Sequence, residues 1–242
     1  MSEQNLQDLK KSMVAIGRLL WEKDLVHGLN GNISVRVDDE SILITGHKTC
    51  LGLLKEKDIL HMKLDGELLE EGKASSETLM HTAIYQNFSE HQAVLHTHTT
   101  YTNGFFLKNE KFIPQIFEAK FYLGEVTAIA QSTPSVTDAR PIVEAMKQNS
   151  IIVLKNHGVV AAGKELFDCF ILIQALEEGI KTNAVAQLYQ QGLGSRGQGL
   201  GFHESQNLKP KTQNKKYKLF SREQIDAIVD LVNKDAQMKE LG

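Results

Sequence analysis

Apolar residues at Leu6, Leu9, Met13, Ile16 and Leu20 recur at helical spacing, so the chain opens with an amphipathic helix. His27-Gly28-Leu29-Asn30-Gly31-Asn32 breaks it, because clustered Gly and Asn permit backbone angles that other residues avoid. Residues 33–37 and 41–45 then read as short strands around the acidic turn Asp38-Asp39-Glu40. Ala74-Ser75-Ser76-Glu77 leads into a second helix, with Met80, Ala83, Ile84 and Phe88 as its predicted buried stripe. Residues 93–98 read as a strand and 139–148 as a helix. Two apolar runs, 151–154 and 159–162, flank Lys155-Asn156-His157-Gly158. A long helical stretch follows over 166–190 and is predicted to end before Gly192.

Beyond that point the texture changes. Gly192, Gly194, Gly197, Gly199 and Gly201 precede a lysine-bearing stretch from Lys209 to Lys218, the pattern of a connection. Ser221 then resembles an N-cap, and Ile225, Ile228, Val229 and Val232 predict a last amphipathic helix. The chain thus divides into a catalytic domain over 1–192 and a connection with a C-terminal docking helix over 193–242.

Composition narrows the function classes without choosing one. The 242 residues are 41% hydrophobic and 24% charged, ordinary for a globular chain. A formal net charge of −3 gives no general attraction to nucleic acid or an anionic membrane. No apolar run approaches the ~20 residues that cross a bilayer, and residues 1–11 lack the apolar core of a secretory signal. Cys50 and Cys169 lie far apart and outside any Cys-x-x-Cys pattern, which predicts buried apolar thiols and a reducing, cytoplasmic setting.

Histidines carry the candidate chemistry. His96 and His98 stand two apart in a strand, so both side chains point to one face and can converge on one ion. The same pair could equally be partly buried histidines bonded to neighbouring threonines. His157 sits in a tight turn between apolar runs, where a polar side chain needs a partner or a task. Three imidazoles with an open fourth position suit a catalytic zinc site better than a closed structural one. His27, His61, His81, His91 and His203 read as surface or capping residues, and His47 is considered separately below. Ser75, Ser76 and Glu77 open a helix, where free N–H groups and the dipole favour an anion. Simple N-capping would explain the same residues.

The order of these short motifs is more specific than any one of them. Gly31-Asn32-Ile33-Ser34, Ser75-Ser76-Glu77, His96-Thr97-His98 and Asn156-His157-Gly158 resemble, in that order and at those separations, the class II aldolase/adducin family. The resemblance covers about residues 5–190. It implies an α/β fold, a three-layer α/β/α sandwich with a mixed, mostly antiparallel central sheet. It implies a zinc or other divalent metal on His96, His98 and His157, an acid/base at Glu77, and a phosphate cradle at Gly31, Asn32, Ser75 and Ser76. A homotetramer with active sites between subunits is also implied. The reaction implied is retro-aldol cleavage of a ketose 1-phosphate, of the L-fuculose 1-phosphate type, to dihydroxyacetone phosphate and an aldehyde.

Two departures bear on the substrate. The family usually carries Thr-Pro-Thr-Gly in the second strand, where this chain reads Thr45-Gly46-His47-Lys48. Lys48 is therefore a candidate phosphate contact. Family aldolases send a tyrosine across a subunit boundary after an Ile-Pro segment, whereas here Glu118 follows Ile113-Pro114. A glutamate there resembles the family's methylthioribulose 1-phosphate dehydratases, so Glu118 is a candidate catalytic residue acting in trans. Dehydration is accordingly the alternative to cleavage, ahead of epimerisation and decarboxylation. A non-catalytic adducin-like binding module is disfavoured, because the three metal histidines and Glu77 are all retained.

Overall fold

The computed structural model describes residues 3–194, so the predicted connection and docking helix of 193–242 lie almost wholly outside the described residues. Its elements run α1 (Glu3–Glu22), β1 (Asn32–Arg36), β2 (Ser41–Thr45), β3 (Ile59–Lys63), α2 (Thr78–Asn87), β4 (Ala93–Thr97) and α3 (Thr100–Phe106). Then come β5 (Lys111–Phe112), α4 (Phe117–Leu123), β6 (Val126–Ile129), α5 (Arg140–Met146), β7 (Ile151–Leu154), β8 (Gly158–Gly163) and α6 (Leu166–Gly194). The eight strands form one sheet in the order β3-β2-β1-β4-β8-β7-β6-β5. Only β6 and β7 pair in parallel; the other neighbours are antiparallel. The sheet is therefore mixed and mostly antiparallel, as the sequence resemblance implied.

Both faces of this sheet are covered, which explains why its central strands are apolar almost throughout. Alternate side chains feed two cores. Leu95, Val153, Val159 and Ala161 join α1, α3, α4 and α6 on one face. Val94, Ile152, Leu154, Val160 and Ala162 join α2 and α5 on the other. His96 shares the parity of Val94, so its ring emerges on the α2 side, where Glu77 begins that helix. No helix among the described residues is long and apolar enough to cross a membrane.

The sequence pattern misread several details. The buried face of α2 is Met80, His81, Thr82, Ile84 and Tyr85, rather than the stripe through Ala83 and Phe88. Helix α6 continues through Gly192 to Gly194, because one glycine lowers helix propensity without ending a long helix. β3, α3, β5, α4 and β6 were not anticipated. Cys169 is buried as expected, but Cys50 is only partly so.

Candidate metal centre

The register of β1, β4 and β8 brings the predicted histidines together. His96 pairs with Asn32 on one side and Val160 on the other. The β7–β8 hairpin turns back at Asn156, whose φ of 63° lies in the left-handed region that Asn tolerates. That turn carries His157 beside His96 and His98. Gly158 follows because nothing larger fits: a Cβ there would lie 2.4 Å from the Thr97 carbonyl oxygen and 2.9 Å from atoms of both His96 and His98. The three rings meet pairwise edge to face, with centroids 4.8, 4.8 and 4.9 Å apart.

The electrostatics suit a cation. His96 Nδ1 donates to the Val159 carbonyl at 2.9 Å, which fixes the tautomer and leaves the Nε2 lone pair free. That Nε2 lies 2.9 Å from Nε2 of His98. Two lone pairs cannot face each other at that distance without a proton or a cation between them. Burial, then the neighbouring imidazoles, hold His96 well below the usual histidine range. Burial and His157 bring His98 down to about 4. Burial also lowers His157, against the opposing pull of Glu77. Three neutral imidazoles offer one ligand atom each within 4.8 Å of one another. The donor set fits a divalent ion with a position left open.

Glu77 stands at the edge of this cluster and is buried. Its Oε2 accepts the Val136 backbone N–H at 3.2 Å, while Oε1 lies 4.0 Å from His157 Nε2. Ser75 Oγ accepts the Glu77 N–H at 3.3 Å, so the serine shapes the turn into α2. Around them a cavity of about 200 Å³ is lined by Gly31, Asn32, Lys48, Ser75, Ser76, Glu77 and all three histidines. Gly31 has a φ of +87°, and a Cβ there would lie 2.9 Å from the His96 carbonyl oxygen. Lys48 is an exposed residue with a φ of 59°. Thr45, by contrast, is fully buried and its hydroxyl accepts the Ile33 N–H at 3.1 Å, a structural task.

Glu118 is not brought to this cavity. It is exposed in the first turn of α4 and is absent from the lining of this chain's own cavity. Two contributors were missed from sequence. One is the loop carrying Pro134, Ser135 and the Val136 N–H, a backbone donor that no side-chain pattern announces. The other is His81, read as surface or capping but fully buried, with Nε2 2.5 Å from the Asn32 Oδ1. Its position four residues after Glu77, on the same helix face, was the available signal.

Comparison with known proteins agrees with this geometry. Residues 11–184 match the family described as Class II Aldolase and Adducin N-terminal domain. An L-fuculose phosphate aldolase of Methanocaldococcus jannaschii is 35% identical over 173 residues, covering 71% of this chain and 93% of that protein. A 3-oxo-tetronate 4-phosphate decarboxylase of Haemophilus influenzae is 32% identical over 181 residues, 71% of this chain and 85% of that one. Among solved structures, the L-fuculose-1-phosphate aldolase of Thermus thermophilus superposes with a TM-score of 0.71 at 28% identity, covering 79% of this chain and 98% of the other.

Proposed function

Because this chain belongs to the class II aldolase and adducin family, we propose that it is a metal-dependent lyase cleaving a ketose 1-phosphate by retro-aldol chemistry. The observation that carries the reading is Glu77, whose Oε1 has no hydrogen-bond partner among the described residues and faces the histidine cluster across 4.0 Å. His96, His98 and His157 would hold zinc or another divalent ion, which when bound supplies Lewis-acid stabilisation of the enediolate left by carbon–carbon cleavage. Glu77 moves a proton to or from the carbon that carries this negative charge. Its second oxygen is held by the Val136 N–H, so the carboxylate is oriented before substrate arrives. Asn32, Ser75, Ser76 and Lys48, which line the same cavity, bind the phosphate and keep the ketose in register.

Decarboxylation is the second reading, favoured by the 32% identity to the 3-oxo-tetronate 4-phosphate decarboxylase. Both reactions leave an electron pair beside a carbonyl, so the same groups would serve either. Dehydration depends on Glu118, which in this reading reaches a neighbouring subunit's cavity within a homotetramer. Incubation of zinc-loaded protein with L-fuculose 1-phosphate and with a 3-oxo-tetronate 4-phosphate separates the first two. Aldehyde release that chelator abolishes and zinc restores supports the aldolase. Carbon dioxide release alone replaces it with the decarboxylase. Sedimentation measures the oligomer, and Glu118→Gln should impair loss of water while sparing cleavage if the dehydratase reading holds.

A further inference from the structure

A chain of buried polar groups runs from Asn32, which lines the cavity, to His81, Ser34 and Tyr85, which do not. His81 Nε2 is 2.5 Å from Asn32 Oδ1, His81 Nδ1 is 2.6 Å from Ser34 Oγ, and Ser34 Oγ is 2.9 Å from the Tyr85 hydroxyl. His81 and Ser34 are 0% exposed and Tyr85 2%. Asn32 stands at the inner end of this chain and also lines the cavity. Its Nδ2 takes no hydrogen-bond partner among the described residues and is not one of the buried unpaired atoms. The amide thus has one end tied to His81 and the other free at the cavity.

We infer that His81 is a positioning residue for anion binding: its Nε2–H holds the Asn32 carbonyl and so turns the Asn32 Nδ2 donors toward the cavity. This rests on the reading that Asn32 belongs to the phosphate cradle. An asparagine amide is nearly the same shape in its two orientations, one offering N–H groups and the other a carbonyl oxygen. Only the first is compatible with an anion. A group behind it that can only donate selects that orientation.

The network makes His81 such a group. Burial pushes its pKa down to about 3, so at neutral pH the ring carries one proton and offers one donor and one acceptor. Burial raises Tyr85 above the usual phenol range, so its hydroxyl keeps its proton and can donate to Ser34. Ser34 in turn donates to His81 Nδ1, which leaves the single ring proton on Nε2, facing Asn32. Every member is then satisfied with one direction of donation.

Calorimetric titration of the zinc-loaded full chain with inorganic phosphate tests this, with zinc content and melting temperature measured for each variant. His81→Gln places an amide N–H near the reach of Nε2, whereas His81→Asn stops near Nδ1. His81→Gln should bind phosphate within about 2-fold of wild type, while His81→Asn and Asn32→Ala should each weaken it by about 10-fold, the scale of one charge-assisted hydrogen bond. The double variant should be no weaker than Asn32→Ala alone. If His81→Asn does not fold, Ser34→Ala serves, because it frees Nδ1 to take the proton; it should weaken phosphate several-fold by the loss of Nε2 donation. Undiminished binding by His81→Asn, or by Ser34→Ala in its stead, beside a weakened Asn32→Ala overturns the inference and leaves the cradle standing. Additive losses in the double variant also overturn it, since His81 would then act otherwise than through Asn32. Undiminished binding by Asn32→Ala removes Asn32 from the cradle, and the inference goes with it.

Discussion

Glu77 and Glu177 are buried to almost the same degree, 4% and 1% exposed, yet their oxygens are used in opposite ways. Glu177 reaches from α6 to the start of α3. Its Oε1 accepts the Tyr101 N–H at 3.0 Å, and its Oε2 accepts the Thr102 N–H at 2.9 Å and the Thr102 hydroxyl at 2.8 Å. The N-cap residue Thr99 supplies no side-chain bond of its own, so a carboxylate from another helix does the capping. Glu77 has one oxygen tied to Val136 and the other without a hydrogen bond among the described residues, 4.0 Å from His157 Nε2. A buried carboxylate whose bonds are complete holds the fold. One left half-satisfied beside a cavity is available to move a proton.

The largest effect should come from breaking the completed set. Glu177→Ala leaves the Thr102 N–H and hydroxyl buried without an acceptor and strips the part-buried Tyr101 N–H of its own, and should cost about 4 kcal/mol in urea unfolding. A loss below about 1 kcal/mol would show that Glu177 does not hold α3, and the contrast would collapse. Glu77→Gln should act the other way round. The amide carbonyl can still accept the Val136 N–H, so stability should change by less than about 1 kcal/mol. Turnover on a good substrate should fall by about 10²-fold or more, as loss of a general acid/base requires. Unchanged turnover would pass the proton to another group, with Glu118 of a neighbouring subunit the first to examine.

This contrast also marks where the sequence was legible. Five of the eight strands could be marked, because β1, β2, β4, β7 and β8 are short apolar runs, whereas β3, β5 and β6 were not anticipated. The histidine cluster could be read because His96 and His98 stand two apart at the end of β4 and His157 lies in one turn. Helix α3 could not: Thr-Tyr-Thr-Asn-Gly-Phe-Phe has weak helix propensity. Its first turn is instead capped by Glu177, some 75 positions away in sequence. The orientation of Glu77 was equally hidden, since it depends on the backbone of Val136. His81 looked like a surface residue because its partners Asn32 and Ser34 come from β1, far away in sequence.

Imidazoles divide as the glutamates do. His81 spends both ring nitrogens inside the chain, whereas His98 turns its Nε2 to the cluster. His81 falls to about 3 when folded, from an ordinary value of 6.5 in the unfolded chain. Between those values the unfolded state binds more protons, so stability is full above pH ~6.5 and falls as pH drops toward ~3. At pH 5 this group alone should remove about 2 kcal/mol. His81→Gln should lose that much less than wild type between pH 7.5 and pH 5 in paired urea titrations. Parallel pH profiles would mean that His81 is protonated in the fold and cannot be the single-proton relay argued above.

The smallest effect should come from trimming the completed set by one bond. Thr102 is fully buried, and its hydroxyl is one of three donors to Glu177. Thr102→Val keeps the shape and the β-branch but removes that donor. Oε2 still receives the Thr102 N–H, and Oε1 the Tyr101 N–H. The carboxylate stays bonded, so the cost should be about 1–2 kcal/mol, well below that of Glu177→Ala. Turnover should not change, because no reacting group moves. Unfolding midpoints of the two single variants and their double give the decisive comparison. In the Glu177→Ala background the hydroxyl has already lost its acceptor, so Thr102→Val should there be neutral or mildly stabilising. Equal costs in both backgrounds would mean that the hydroxyl stabilises α3 by some route other than Glu177, and the completed-set account of that carboxylate would fail.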